Sequence, residues 1–534
     1  MAVADLLNPG PGRGPGALPG TRPGTQAEPR PEARPAGQGD ARPEDRPEAR
    51  LGPVTGSRPQ ARSAAGAARR SAAGAGPDDE PLLVDALGPQ GRFRARRRTT
   101  VTDVSGAPVA EIGLVPSLFV DRTVKALRRA TPMGLDERIA AIRHAAELFA
   151  TAELAGQDPA AYERTVARVG GVPLSVVRAT TQNIRARLGR VHDSLAQARP
   201  AGVAEDWRSP LTRTGSAVWT RRAETFAVLA AGNHPGTHSL WPEALALGYR
   251  VAVRPSRREP FTPYRLITAL REAGFGEDRI AFLPTDHAEA DTLLRAADRS
   301  LVYGGEDVVR KYADNPRVLL QGPGRSKILI TADTDWRDHL DTITASVAGH
   351  GGTGCVNTTT VLVEGDPAPL AEALAQRLAA LPALPPEDEA AVLPVQSADT
   401  ARAIEAHLLT RAAGTRAWLG GDGIARDLGD GSAVLTPAVH QLERADAPQA
   451  GVELPFPCVW VAPWSRADGI APLRGSLVVG ALTTDRHLLD ELIAEPSIGN
   501  VHAGDHPTYW MGPGLPHDGY LAEFLMRSKT VIRD

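Results

Sequence analysis

The chain has 534 residues, a net charge of −3 and two cysteines. This length allows two or three domains with large cores. Two cysteines exclude a disulfide framework and a Cys-rich zinc site, and the weak charge gives no general attraction to nucleic acid or anionic membranes. No apolar run approaches a membrane span, and the first twenty residues lack the pattern of a secretion signal. We therefore expect a soluble, cytoplasmic protein with no nucleic-acid partner and no membrane partner.

The first 80 residues differ in composition from the rest of the chain. Residues 1–80 contain thirteen prolines and no aromatic residue. Such a segment buries too little apolar surface to offset its chain entropy, so we predict a disordered tail. An arginine cluster follows, comprising Arg94, Arg96, Arg97 and Arg98. It is consistent with a phosphate-binding patch, but its position before a Thr-rich segment favours a solvated strand face.

The middle of the chain alternates between predicted strands and helices. Three helices precede this alternation, at 136–154, 160–169 and 176–188, and residues 216–226 are predicted to be extended. The first alternating block has strands at 226–231, 250–253, 280–283 and 300–303, and helices at 239–247, 263–273, 288–297 and 306–312. The second has strands at 328–331, 356–363 and 391–395, and helices at 336–348, 370–380 and 400–410. This order predicts the α/β class, with two doubly wound α/β domains whose ligands lie beyond the carboxyl ends of the strands.

A glycine-rich turn between the second block's first helix and second strand carries one of the cysteines. Cys355 follows four glycines within residues 349–354. Glycines allow close backbone approach, so a presented nucleophile is one interpretation, and a small hydrophobe in a tight loop is the other. The spacing of Gly349, Gly351 and Gly354 matches a dinucleotide fingerprint, but that fingerprint requires a strand before it and a helix after it, the reverse of the order here. The second cysteine, Cys458, lies in an apolar run, 456–461, and is predicted to be a buried structural residue.

Two turns at the carboxyl ends of predicted strands carry further candidates. Asn233 follows the first strand, where its amide would stabilise an oxyanion or cap the next helix. The next strand ends at Arg254, with Arg257 and Arg258 close behind. Clustered guanidinium groups suit phosphates, although a solvated loop explains them equally well.

Several of these segments, in this order, resemble the aldehyde dehydrogenase superfamily over residues 83–534. The similar segments are Asn233-His234-Pro235, Arg254-Pro255-Ser256, Tyr303-Gly304-Gly305, the Cys355 turn, Glu453-Leu454-Pro455-Phe456-Pro457 and Arg527-Ser528-Lys529-Thr530-Val531. The resemblance implies that Cys355 is the nucleophile and Asn233 an oxyanion donor. It implies a nicotinamide cofactor contacted by Arg254, Ser256, Gly304, Gly305 and Glu453.

The resemblance also implies a domain organisation. A nicotinamide-binding domain with a helical N-terminal part is expected over residues 81–325, and a catalytic domain over 326–500. Residues 205–225 and 501–534 are expected to form extended strands that join subunits into a homodimer or homotetramer.

The first departure from the family pattern concerns hydrolysis. Gln321 stands where hydrolytic members carry the glutamate that activates water, and a neutral amide cannot take a proton. Water is therefore expected to be a poor acyl acceptor, which favours reduction of an acyl thioester to an aldehyde, as in the acyl-CoA reductases of the family. His350 is either a substitute base or a residue capping the preceding helix. The alternatives are hydrolytic oxidation of an aldehyde to an acid, or a non-catalytic scaffold.

The second departure concerns the cofactor. Arg257 occupies the position of the glutamate that binds the adenosine ribose in NAD-dependent members. An arginine attracts a 2′-phosphate, so NADP is preferred over NAD. We predict no metal, because His502, His506 and His517 lack ligand spacing and are typical of loop residues.

Overall fold

The computed structural model describes residues 82–512 and 514–533. The tail predicted to be disordered, residues 1–80, lies outside the described residues. Within the described part, no helix has both the length and the apolar character needed to cross a membrane.

Twenty-two strands are present in the described ranges. They are β1 (Leu82–Val84), β2 (Ala86–Gly88), β3 (Gly91–Phe93), β4 (Arg98–Thr102), β5 (Pro108–Gly113), β6 (Ser216–Arg221), β7 (Thr225–Leu229), β8 (Arg250–Arg254), β9 (Ile280–Phe282), β10 (Arg299–Tyr303), β11 (Val318–Gln321), β12 (Ser326–Ile330), β13 (Thr358–Glu364), β14 (Val395–Ser397), β15 (Arg416–Leu419), β16 (Ala425–Asp427), β17 (Ser432–Leu435), β18 (Ala438–Gln441), β19 (Cys458–Trp464), β20 (Val478–Leu482), β21 (Asn500–Ala503) and β22 (Met526–Val531).

The α-helices of the described ranges lie mostly between these strands. They are α1 (Ser117–Leu127), α2 (Leu135–Thr151), α3 (Pro159–Gly170), α4 (Leu174–Gly189), α5 (Val191–Ala198), α6 (Pro242–Ala246), α7 (Phe261–Leu270), α8 (His287–Ala296), α9 (Glu306–Tyr312), α10 (Leu340–Ala348), α11 (Ala368–Ala379), α12 (Ala398–Arg411), α13 (Arg486–Ala494) and α14 (Leu521–Leu525).

The first large sheet has the strand order β11-β10-β7-β8-β9-β2-β3. The strands from β11 to β9 are parallel, and β2 and β3 add an antiparallel edge. Every residue of β7, β8 and β9 is buried, as expected for strands covered on both faces. The chain moves outward from β7 to β9 and then crosses back to β10 on the other side of β7. This reversal opens a crevice at the carboxyl ends of β7 and β10.

The second large sheet has the order β15-β18-β19-β13-β12-β20-β21. It is parallel except for β15, which is antiparallel to β18. Strands β12 and β13 lie side by side at its centre and are almost entirely buried. Two parallel sheets with helices on their faces confirm the predicted α/β class.

The C-terminal strand pairs with the extended segment that precedes the first large sheet. Strand β22 is antiparallel to β6, with Met526 opposite Arg221 and Val531 opposite Ser216. Of the expected extended segment 205–225, only β6 is a long strand, because Pro210–Thr214 forms a 3-10 turn. The pairing of these two segments was predicted, and their role in joining subunits stays a prediction.

Among the predicted elements that differ from the structure, three are displaced or shortened by a proline or a 3-10 turn. The strand predicted at 391–395 exists only as β14, since Pro394 lacks the N–H that a strand ladder requires. The helix predicted at 239–247 is shortened to α6, which begins at Pro242 after a separate 3-10 turn. The helix predicted at 336–348 begins as a 3-10 turn, Trp336–His339, before α10.

Candidate active site

The turn that carries Cys355 is held in a fixed shape by its neighbours. Helix α10 ends at Gly349, and the turn Gly349–Gly352 follows. At Gly352, with φ +64°, a Cβ atom would lie 2.6 Å from the Pro457 backbone nitrogen. Asn357 closes the turn, because its Oδ1 accepts the Gly354 N–H at 2.9 Å and its Nδ2 donates to the Gly349 carbonyl at 2.8 Å. Strand β13 therefore starts at 358 rather than at the predicted 356, and the order of helix, turn and strand confirms that the dinucleotide fingerprint does not apply.

The main chain of Cys355 packs against the loop that follows β11. A Cβ atom on Gly324 would lie 1.8 Å from the Cys355 carbonyl oxygen, so only glycine fits there. The Ser326 hydroxyl donates to the same carbonyl at 2.9 Å. These two contacts fix the backbone of Cys355, whose side chain is partly buried, while Cys458 is 5% exposed within β19.

The sulfur of Cys355 faces the C-terminal part of the chain. Its Sγ lies 3.6 Å from Nε2 of His517. Burial, together with the negative charges of Glu453 and Asp518, raises the pKa of the Cys355 thiol to about 12. Burial, followed by the positive charge of Arg187, lowers the pKa of His517 to about 4. At neutral pH both groups are therefore uncharged at rest.

Asn233 lies beside the turn that carries Cys355. Its Nδ2 donates to the Thr353 carbonyl at 3.1 Å, two residues before Cys355. It does not cap the following helical turn, because His234 is the cap and accepts the Gly236 N–H through Nδ1 at 3.1 Å. The capping alternative for Asn233 is therefore wrong, and its amide faces the segment that presents the cysteine.

Tyr303 and Gln321 lie opposite each other at the ends of β10 and β11. The Gly304 N–H donates to the Gln321 carbonyl at 3.1 Å, and the Tyr303 hydroxyl donates to the Thr237 carbonyl at 3.1 Å. Gln321 is 8% exposed. Its strand leads directly into the loop that carries Gly324, so Gln321 lies on the same side of the site as the Cys355 backbone.

Glu453 lies next to the same loop, between the turn Pro448–Gly451 and β19. Its Oε2 accepts the Arg325 N–H at 2.8 Å, and burial raises its pKa. The Arg325 side chain forms an ion pair with Glu306 in the first turn of α9. Glu453 therefore lies close to Cys355, and its negative charge contributes to the raised pKa of the Cys355 thiol.

The arginines predicted to bind phosphates lie at the carboxyl end of β8 and are already partnered. Arg254 is buried and donates to Thr285 Oγ1 at 3.1 Å. Arg257 is exposed and pairs with Asp286 at 2.7 Å, a carboxylate that Arg97 also contacts. Two guanidinium groups therefore share the carboxylate of Asp286.

Two further arginines have structural partners. Arg258 donates to the Gly170 carbonyl at 2.8 Å and to Gln396 Oε1 at 2.9 Å, linking the end of β8 to β14. Arg98 pairs with the buried Asp85. The prediction that the 94–98 cluster is a solvated strand face is therefore only partly right.

The residues at the switch between β7 and β10 fit a nicotinamide dinucleotide. A Cβ atom on Gly305 would meet nothing within 4 Å, which leaves open space in front of α9. At Gly232 a Cβ would lie 2.3 Å from Ser256 Oγ, so the ends of β7 and β8 pack closely there. Ser256 and Glu453 offer a hydroxyl and a carboxylate for ribose hydroxyl groups. In the described ranges no group of three or more His, Cys, Asp or Glu side chains is arranged to hold a metal ion.

One histidine contacts Cys355 in the structure although the sequence did not predict this contact. His350 adopts φ +56°, and its ring packs 5.9 Å from that of His234 and 4.7 Å from that of Tyr509. The cap of the preceding helix is Gly349, so His350 is not the capping residue. His517, predicted to be an ordinary loop residue, contacts the Cys355 sulfur, and no spacing in the sequence signals this contact.

Comparison with known proteins agrees with this fold. Solved structures of 1-pyrroline-5-carboxylate dehydrogenase from Thermus with bound NAD and of a mutant of AldA, the indole-3-acetaldehyde dehydrogenase of P. syringae, with NAD+ and IAA superpose with TM-scores of 0.70 and 0.72. They cover 84% and 85% of this chain and 93% and 97% of their own, at 16% identity. At this identity the likeness defines the class of fold, that of the aldehyde dehydrogenases.

The sequence comparison is more specific. The model of the aldehyde dehydrogenase family matches residues 98–522. The chain therefore belongs to the aldehyde dehydrogenase family, a family of oxidoreductases acting on aldehydes. Geranial dehydrogenase of Castellaniella defragrans is 27% identical over 51% of this chain and 59% of its own length. A Caenorhabditis elegans protein named probable methylmalonate-semialdehyde/malonate-semialdehyde dehydrogenase, acylating, mitochondrial, is 24% identical over 25% of this chain and 27% of its own length. The chain thus aligns with less than two thirds of either relative.

Proposed function

We propose that the chain is an NAD(P)-dependent oxidoreductase that acts on an aldehyde or an acyl thioester through a covalent intermediate on Cys355. The observation that carries this proposal is the position of the partly buried Cys355 sulfur among Asn233, Glu453 and the loop after Gln321. Each of these side chains comes from a different element: Asn233 and Gln321 lie at the carboxyl ends of β7 and β11 in the first large sheet, and Cys355 and Glu453 lie before the amino ends of β13 and β19 in the second. Convergence of this kind is typical of an active site.

The chemistry follows from the groups around the sulfur. Cys355 Sγ attacks the carbonyl carbon, and the carbonyl oxygen gains the negative charge. The Asn233 amide and the Cys355 N–H are the donors that stabilise this oxyanion, once the amide leaves the Thr353 carbonyl. A bound nicotinamide would supply the hydride donor or acceptor at this carbon. Cys355, with its backbone fixed by Gly324 and Ser326, keeps the acyl group in place until an acceptor arrives.

Within this class we favour the thioester as the substrate. A buried amide at Gln321 cannot remove a proton from water, so hydrolysis of the acyl-enzyme lacks the base used by hydrolytic members. Acyl exchange with a carrier thiol needs no water. The printed name of the acylating Caenorhabditis elegans relative supports acyl transfer as chemistry within this family.

For the cofactor we propose NADP in preference to NAD. Support comes from Arg97 and Arg257, which both pair with the one carboxylate of Asp286. A 2′-phosphate near Arg257 would restore charge balance, because Asp286 alone cannot neutralise both guanidinium groups.

Hydrolytic oxidation of an aldehyde to an acid is the second candidate. The printed name of the geranial dehydrogenase relative supports aldehyde oxidation as the direction of the reaction. For either reaction we propose a homodimer or homotetramer in which the paired strands β6 and β22 join subunits.

One assay separates these candidates. Purified full-length protein is incubated with NADPH and an acyl-CoA, and separately with NADP and an aldehyde, with and without free CoA. Loss of NADPH that depends on the thioester supports reduction. Formation of NADPH from aldehyde without CoA supports hydrolytic oxidation instead. If neither reaction occurs and no cofactor binds, both are wrong and a scaffold remains. The Cys355→Ser variant serves as control, and we expect it to bind cofactor without turnover.

A further inference from the structure

The contact between Cys355 and His517 joins residues that are 162 positions apart in the chain. The distance from Sγ to Nε2 is 3.6 Å, within range of a thiol–imidazole hydrogen bond. His517 lies in the segment between β21 and α14, and Cys355 lies in the turn before β13. A neutral imidazole nitrogen at this distance can accept the thiol proton.

The position of His517 is fixed by its backbone. The Asn500 side chain donates through Nδ2 to the His517 carbonyl at 2.7 Å and to the Leu477 carbonyl at 3.0 Å. Asn500 is the first residue of β21, so it anchors the loop to the second large sheet. On the other side, α14 begins with the buried Leu521. These contacts hold the His517 backbone beside the turn that carries Cys355.

Three charged or titratable groups besides His517 face the sulfur. Glu453 and Asp518 place negative charge near Cys355 and raise the pKa of its thiol, and Tyr303 is near enough for the thiolate to raise the tyrosine's own pKa. Burial and the two carboxylates disfavour a thiolate that forms before substrate binds. The nucleophile therefore needs a base that removes the proton during attack rather than beforehand.

The imidazole itself is kept neutral by its surroundings. Burial and the positive charge of Arg187, on α4, lower the pKa of His517 to about 4. Arg187 lies 3.9 Å from the buried carboxylate of Glu243, which also accepts a hydrogen bond from Ser194. His517 is therefore neutral in the physiological range, so its Nε2 lone pair is free to accept a hydrogen bond from the thiol, although burial also makes the imidazole a weaker base.

Other candidate bases are engaged elsewhere or, like Asp518, act on Cys355 only through their charge. Gln321 is an amide and has no basic atom. Glu453 accepts a backbone hydrogen bond from Arg325, and the ring contacts of His350 are with His234 and Tyr509 rather than with the sulfur. Of the described side chains, His517 is the one with a basic nitrogen in contact with Sγ.

We infer that His517 is the catalytic base for acyl transfer to and from Cys355, an assignment that rests on the proposed function. During acylation the S–H bond of Cys355 breaks, its proton moves to Nε2 of His517, and the S–C bond forms. The bond between the acyl carbon and the carrier sulfur breaks, and the leaving thiolate takes the proton from His517. With water as acceptor, the same nitrogen takes a water proton and returns it to Sγ. Neither exchange needs an oxidant or a reductant.

The first test measures Cys355 directly. Full-length protein is treated with iodoacetamide, and modification of the peptide containing Cys355 is followed by mass spectrometry at several pH values. With the base present, the rate should change little between about pH 6 and pH 9, because neutral His517 removes the proton throughout this range. In His517→Gln the rate should rise about tenfold per pH unit, because only pre-formed thiolate reacts. His506→Gln is the matched control, since His506 stacks on Trp510, and it should keep the flat profile.

The second test measures acyl transfer without cofactor. Acylation of the enzyme by p-nitrophenyl acetate should be about 10²-fold slower in His517→Gln, and added imidazole should restore acylation in His517→Ala. Native melting temperature and circular dichroism of the glutamine variant exclude misfolding. Identical pH profiles in wild type and His517→Gln, or a loss that imidazole does not restore, would overturn the inference.

These tests are independent of the proposed reaction. If no NADPH-dependent turnover is found but the alkylation profile depends on His517, the reaction is wrong and the base is right. If turnover is found and the alkylation profile is unchanged by His517→Gln, only the base is wrong.

Discussion

Replacement of Gly324 by alanine tests the close packing that fixes the nucleophile. The added Cβ would lie 1.8 Å from the Cys355 carbonyl oxygen and 2.9 Å from its Cα. An ordinary contact between such atoms is about 3.4 Å or more, so the two segments must separate by about 1.6 Å at the oxygen. Both partners are main-chain groups, so no side-chain rotation relieves the overlap.

The size of the effect follows from this displacement. Overpacking of this kind lowers the free energy of unfolding by about 1–3 kcal/mol. Movement of Cys355 away from Ser326 also lengthens the 2.9 Å hydrogen bond to its carbonyl. A displacement of about 1 Å at a reacting group lowers the rate about 10²-fold. We therefore expect Gly324→Ala to lose activity far more than stability.

Thermal unfolding and the rate of Cys355 alkylation measure the two effects separately. Gly322→Ala is the matched control in the same loop, because its Cβ would meet only Val309 Cγ2, at 3.0 Å, and that side chain can adjust. Retention of both wild-type alkylation and wild-type turnover in Gly324→Ala would refute the reasoning.

Two further substitutions test the departures from the family pattern. Gln321→Glu should raise hydrolytic aldehyde oxidation about tenfold or more, because a carboxylate at this buried position has a raised pKa and can accept a proton from water near neutral pH. Acid production from an aldehyde in the absence of CoA measures this, with Gln321→Leu as control, and no gain would show that residue 321 is not at the base position or that another base already serves. Arg257→Ala should raise KM for NADPH about tenfold relative to KM for NADH, since it leaves Asp286 with one cation fewer. The exposed Arg444, which pairs with Asp446, provides the control Arg444→Ala, and an unchanged cofactor ratio in Arg257→Ala would contradict the NADP assignment.

Much of the α/β framework could be predicted because its strands are buried on both faces. The strands predicted at 250–253 and 300–303 and the helix at 306–312 agree with β8, β10 and α9 within one residue. Continuous apolar runs separated by amphipathic helices are compatible with few arrangements other than a parallel sheet covered by helices. The start of β13 was misplaced by two residues, because the turn is closed by the Asn357 side chain, and its partners lie across the turn rather than along a strand.

In the candidate site, too, some features could be predicted from the sequence and others could not. The positions of Cys355, Asn233 and Glu453 could be anticipated, because each follows a glycine- or proline-marked turn next to a predicted strand. The ion pair between Arg257 and Asp286 could not, since the two residues belong to different turns and their separation depends on the packing of β8 against β9.

His517 illustrates the limit most clearly. Its neighbours in sequence are Gly and Pro, which indicate a loop and carry no information about what the loop covers. Its contact with Cys355 depends on Asn500, which holds the loop against β21. It also depends on the strand order, because β21 belongs to the same sheet as β13, the strand that follows the cysteine turn. The sequence therefore predicts that residue 321 supplies no base, and it gives no signal for His517. If His517 supplies that base, the absence of a carboxylate at Gln321 no longer argues against water as acceptor, and the choice between thiol and water depends on which of them reaches the acyl carbon.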